Sequence, residues 1–99
     1  MILYIDTTDY SGVSFAASDG KKIRKAKYKI DSHRSYETLG KLEAFLRRVK
    51  GSGAVEKIVA NKGPGSYTGV RVGVAIAKSL GFAWNIPIKF LSADKFKIK

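Results

Sequence analysis

The apolar positions change period along the chain, and each change marks an element. Residues 2–5, Ile-Leu-Tyr-Ile, are a continuous apolar run, the pattern of a strand buried on both faces. Asp9-Tyr10-Ser11-Gly12 reads as a turn. Val13, Phe15 and Ala17 then alternate with smaller residues, as in a strand, and Asp19-Gly20 is a hairpin signal. The strand beyond it, residues 22–30, sets Ala26, Tyr28 and Ile30 on one face and Lys25, Lys27 and Lys29 on the other. Such lysines suit a sheet edge, where charge discourages pairing with another chain. The first third is therefore predicted to be an antiparallel meander with its third strand at the edge.

Helical spacing takes over next. Leu39, Leu42, Leu46 and Val49, with Tyr36 and Phe45 beside them, predict a helix over residues 35–50. Ser35 suits its cap, Glu37 its first turn, Arg47, Arg48 and Lys50 its last turn, and Gly51 its stop. Gly51-Ser52-Gly53 reads as a loop, and residues 56–61, carrying Ile58-Val59-Ala60, as a buried strand. A glycine-rich loop, 62–67, leads into a second helix, 68–84, which Asn85 and Pro87 end before a last strand over 86–91. The lysine-rich tail, 95–99, is expected to fray. The order β-β-β-α-β-α-β, a meander followed by two right-handed crossovers, predicts a single α/β domain with one mixed five-stranded sheet. That is the architecture of actin-like ATPase and ribonuclease-H-like domains.

Composition narrows the class. Ninety-nine residues suffice for one domain with a modest core, and 44% hydrophobic residues argue against disorder. There is no apolar run long enough for a bilayer, no cysteine, and only a short apolar opening that meets Asp6 at once. A soluble cytoplasmic protein is the expectation. Nineteen Lys/Arg against eight Asp/Glu give a net charge of +11, a surface that attracts polyanions, although a general basic bias or a solubility role accounts for the charge equally well and charge alone names no ligand.

Candidate chemistry centres on the stretch from Asn61 to Gly73. Its loop joins a buried strand to a helix N-terminus, where backbone N–H groups can hold an anion. The phosphate-loop pattern is nevertheless absent, and Gly63, Gly65 and Gly69 are spaced one residue too widely for the dinucleotide fingerprint. A tight turn that needs glycine geometry is the favoured reading. On the helix, Gly69, Gly73, Ile76, Leu80 and Ala83 share one side, and Gly69, Gly73 and Ala77 form a small-residue stripe for close packing. The opposite side carries Arg71, Val74, Ala75, Lys78 and Phe82, an apolar patch rimmed by charge that suggests a protein partner. Catalytic groups are scarce: His33 is the only histidine, with Asp31 near it. A pairing of His33 with Ser66 or Thr68 would be bare. Asp6, at the end of the first strand, is where ribonuclease-H-like nucleases place a metal-binding carboxylate. Two-metal chemistry would need further acids such as Glu37 or Glu43 to converge on it. In the structural alternative Asp6 accepts the N–H groups of its own turn.

The motifs resemble one family. Ile2-Leu3-Tyr4-Ile5-Asp6-Thr7-Thr8 is similar to the opening of TsaB proteins. Gly63-Pro64-Gly65-Ser66-Tyr67-Thr68-Gly69-Val70-Arg71-Val72-Gly73 resembles their signature, with Tyr67 where Phe is usual. Val74-Ala75-Ile76-Ala77-Lys78 and Asn85-Ile86-Pro87 continue it, and His33 sits where the family often has a histidine. The resemblance implies an actin-like fold shared with TsaD and no catalysis by this chain. In that family TsaB pairs with TsaD, which transfers the threonylcarbamoyl group to adenosine 37 of tRNAs reading ANN codons, and the ATPase TsaE joins the pair. The contact is similar to a bundle of two helices from each partner, and homodimers can use the same helices. Carried over, the partner-binding residues would be Leu39, Leu42 and Leu46 on the first helix and Arg71, Val74, Ala75, Lys78 and Phe82 on the second. The motif loop would be Gly63, Pro64, Gly65, Ser66, Thr68 and Gly69. The resemblance implies no metal and no cofactor within this chain, with ATP or ADP at the TsaD interface, and allows tRNA contact through the basic surface. Family members carry a second lobe, which would begin about where this sequence stops after Leu91-Ser92-Ala93. A metal-dependent nuclease using Asp6 and a basic RNA-binding module are the alternatives.

Overall fold

The fold was taken from a computed structural model, which describes residues 1–49 and 53–98, with Ser32 and His33 described by backbone alone. Strand β1 (Ile2–Asp6) pairs antiparallel with β2 (Gly12–Ser18), and β2 with β3 (Ile23–Lys29). A 3-10 segment (Ser32–Glu37) leads into helix α1 (Thr38–Val49). Strand β4 (Lys57–Asn61), helix α2 (Tyr67–Trp84) and strand β5 (Ile88–Leu91) follow. β4 pairs parallel with both β1 and β5, giving a mixed five-stranded sheet in the order β3-β2-β1-β4-β5. The lysine-bearing β3 is an edge, as its composition predicts.

Both helices pack on one face of the sheet, α1 over β2 and β3, α2 over β1, β4 and β5. Leu3, Ile5, Phe15, Ile58 and Ala60 point to that side and meet Leu42, Phe45, Val49 and Ala77. Full burial of side chains such as Phe15, Phe45 and Leu42 is worth about 1.5–3 kcal/mol each. Tyr4, Ala16 and Val59 point to the opposite face, so β1 is buried on both sides, as its unbroken apolar run requires.

Four expectations are corrected. The first α-helix does not start at Ser35: residues 32–37 wind more tightly, broken by non-helical angles at Arg34, and helix geometry begins at Thr38. Glu37 thus lies outside its first turn. The last strand starts at Ile88, because the Ile86 N–H donates to the Gly81 carbonyl (3.0 Å) and helps finish α2 instead. Ala83 is exposed, and Gly81 takes its expected place against the sheet. The tail is not frayed over residues 95–98: Phe96 and Ile98 lie against the second face of the sheet, with Phe96 edge-on to Tyr4 at 6.1 Å between ring centroids. The expected roles of Lys50, Gly51 and Ser52, and Lys99 in the tail, fall outside the described residues. No helix among the described residues is long and apolar enough to cross a membrane.

Candidate functional site

The glycine-rich loop is a clasp between α2 and the end of β1. The Ser66 N–H donates to the Thr8 carbonyl (2.8 Å), and the Thr7 hydroxyl donates to the Gly69 carbonyl (2.6 Å). Ser66 also caps α2, its Oγ accepting from the Gly69 N–H at 3.1 Å. A Cβ added to Gly65 would fall 2.5 Å from the Thr8 carbonyl oxygen, and Cβ atoms at Gly69 and Gly73 would collide with Thr7. Deeper in the helix, Ala77 is fully buried and Gly81 sits against Ile88. The stripe Gly69, Gly73, Ala77, Gly81 therefore lets α2 lie directly on the strands. The strand side of the loop is tied as well. Asn61 Oδ1 accepts from the Gly63 N–H (2.9 Å), and the Gly63 carbonyl accepts from the Ala93 N–H (2.8 Å). The Gly63–Pro64 peptide bond is cis, and Gly63 has φ +92°. Pro64 and Thr68 are exposed beside this clasp. The donors at Ser66 and Gly69 are spent on protein acceptors, which favours the tight-turn reading over a phosphate cradle.

The helix face opposite the stripe is open. Arg71, Ala75, Lys78 and Phe82 are exposed and Val74 is half-buried; Phe82 keeps 91% of its surface accessible. Arg71 lies 5.4 Å from the Tyr67 ring centre and donates to the Tyr67 hydroxyl at 2.8 Å. Tyr67 itself is 73% exposed. On α1 the three leucines separate. Leu39 is exposed and Leu46 half-buried, whereas Leu42 has no accessible surface and belongs to the core. The expectation of Leu42 as a surface contact is corrected: its helical neighbours Phe45 and Val49 are buried with it, and they turn that side of α1 into the sheet. Tyr36, Tyr67 and Trp84 are exposed aromatics absent from the sequence-based set. The four-residue spacing from Tyr67 to Arg71 was the available signal.

Asp6 plays the structural part. Its Oδ1 accepts from the Thr8 N–H (3.0 Å) and the Thr8 hydroxyl (2.7 Å). Its side chain borders a groove with Ser14, Lys25 and Phe96 on the face away from the helices. Glu43 rides on α1, across the sheet, and cannot share a metal with it. Among the described residues no three His, Cys, Asp or Glu side chains gather. His33, as a side chain, lies outside the described residues.

An α/β lobe with the meander-and-crossover sheet of actin-like and ribonuclease-H-like domains is the class these features define. The family model described as "TsaD: tRNA N6-adenosine threonylcarbamoyltransferase" matches residues 32–93. The tRNA threonylcarbamoyladenosine biosynthesis protein TsaB of Bacillus subtilis (strain 168) is 36% identical over 94 residues, which cover 93% of this chain and 41% of that protein. Among solved structures, YeaZ from Pseudomonas aeruginosa superposes with a TM-score of 0.80 at 26% identity, covering 92% of this chain and 43% of its own. A second, described as an uncharacterized protein with similarity to peptidase YEAZ from Pseudomonas aeruginosa, gives 0.79 at 26% identity over 92% and 42%. The chain belongs to this family, on its TsaB side. It spans less than half the length of the relatives it matches.

Proposed function

We propose that this lobe serves tRNA N6-threonylcarbamoyladenosine formation as a non-catalytic partner, docking through α1 and α2 onto a TsaD-type transferase. The observation that carries this is the outer face of α2, where Phe82 stands 91% exposed one turn beyond Lys78, with Arg71, Val74 and Ala75 earlier on the same face. An exposed aromatic that shares its helix face with further apolar residues, on a helix whose other side is packed, suits a partner surface. On α1 Leu39 is exposed and Leu46 half-buried, and Tyr36 is exposed just before that helix. The names of the relatives support the pathway. On this reading TsaE joins the pair, ATP or ADP is held between this chain and TsaD, and a homodimer competes for the same helices. The work takes place in the cytoplasm.

Co-purification tests it. The wild-type chain should co-elute with a TsaD-type partner, and Val74→Asp or Phe82→Asp should abolish co-elution while leaving the circular dichroism unchanged. Undiminished association of both variants would sink the assigned face.

A further inference from the structure

The second face of the sheet has a chemistry that the helix interface does not use. Parallel strands are ordinarily covered on both sides. Among the described residues, the stretch through Phe96 and Ile98 crosses the middle of that face, over Tyr4, Ala16 and Val59. A groove is left on each side of it. One is bordered by Lys25, Lys27 and Lys97, the other by Lys57, Lys89, Lys95 and Lys97. Against these six lysines the grooves offer two carboxylates, Asp6 and Asp94, and Asp6 is already engaged by Thr8. Lys27 has a further partner in Asp9, at 3.5 Å on the open surface. Edge protection explains charge on β3 and β5. It does not explain Lys57 on the inner strand β4, nor Lys95 and Lys97 beyond the sheet. Like charges gathered on one face repel, and an anion laid along it would relieve that repulsion.

We propose that this lysine-walled face binds the phosphate backbone of RNA, on the side of the sheet opposite the partner helices. Two charged grooves flanking an apolar ridge suit an extended polyanion better than a single small anion. The groups are flexible ammonium point charges, which suit backbone attraction rather than base reading. Affinity should be strongly salt-dependent and weakly sequence-dependent.

Fluorescence anisotropy of a labelled tRNA transcript against the whole chain tests this over a range of potassium chloride concentrations. Lys25→Glu/Lys89→Glu should weaken binding roughly ten-fold or more and flatten the slope of log affinity against log salt by about 2. Arg47→Glu/Arg48→Glu makes the same change in net charge on α1 and should leave binding within about two-fold, since a distant exposed pair adds little at physiological salt. Equal loss in both double variants would reduce the effect to net charge and overturn the proposal. So would wild-type binding by the lysine variant, or no binding by the wild type. Vesicles of phosphatidylglycerol and phosphatidylcholine form a second arm: if they displace the RNA through the same lysines, the face belongs to a membrane and the proposal falls. Phe82→Asp should retain RNA while losing the protein partner, so the two readings fail separately.

Discussion

At the scale of single residues, the glycine motif is explained by what it touches. Gly69 and Gly73 press on Thr7, and Gly65 on Thr8. Gly73→Ala should destabilise the fold by about 1–3 kcal/mol, because a methyl group must displace the Thr7 side chain. Gly69→Ala should do at least as much damage, since its neighbour is a backbone carbonyl that cannot rotate away. Gly40 supplies the contrast. It lies in α1 with nothing within 4 Å of a built Cβ, so Gly40→Ala should stabilise by about 0.5–1 kcal/mol. Urea midpoints for the three variants check the ordering, and a neutral Gly69→Ala would refute the clasp. Thr7→Val keeps the shape but removes the hydroxyl that donates to the Gly69 carbonyl, and should lose about 1 kcal/mol.

At the scale of elements, the β2–β3 turn carries its own pH dependence. The Asp19 carboxylate accepts from the Lys22 and Lys21 N–H groups, each at 2.8 Å, and these bonds hold its carboxyl below the usual 3.8. A pKa depressed by folding stabilises the native state above the unfolded value and ceases to do so as pH falls through the folded one. NMR titration should therefore place the Asp19 midpoint below 3.8, and the turn amides of Lys21 and Lys22 should shift with it. A midpoint at or above 3.8 would contradict the geometry. The element order itself was legible in the sequence, because burial on one or two faces imposes the period that the apolar residues follow. The central strands β1 and β4 show it as unbroken apolar runs, and β3 as alternating lysines. What was illegible depends on contacts across the chain. A leucine stripe shows that α1 has an apolar side but not which of Leu39, Leu42 and Leu46 the sheet covers. The glycine spacing spoke against a dinucleotide fingerprint, yet the glycines' neighbours, Thr7 and Thr8, lie some 60 residues earlier and are brought there by the parallel pairing of β1 with β4. Residues 35–37 read as continuous with α1 because residues at 3-10 and α spacing overlap over one turn.

At the scale of the whole molecule, one sheet separates two surfaces, and two phenylalanines distinguish them. Phe96 is half-buried against Tyr4 on the lysine face and works as core; Phe82 stands in solvent on α2. Phe96→Ala should therefore lower stability by about 1–3 kcal/mol, less than a fully buried phenylalanine would because part of its ring is already wet. Its loss also uncovers Tyr4 and Val59, so the tail should become accessible to protease. Phe82→Ala should change stability by no more than about 0.5 kcal/mol, as expected for an exposed side chain without intramolecular partners to lose. Chemical denaturation of both variants decides the matter. If Phe82→Ala unfolds at markedly lower urea, that ring is part of the fold and cannot be the free anchor of a partner interface. If it is neutral while association weakens, its exposure is explained by binding, and the sheet stands as a wall between a protein-docking side and a polyanion-binding side.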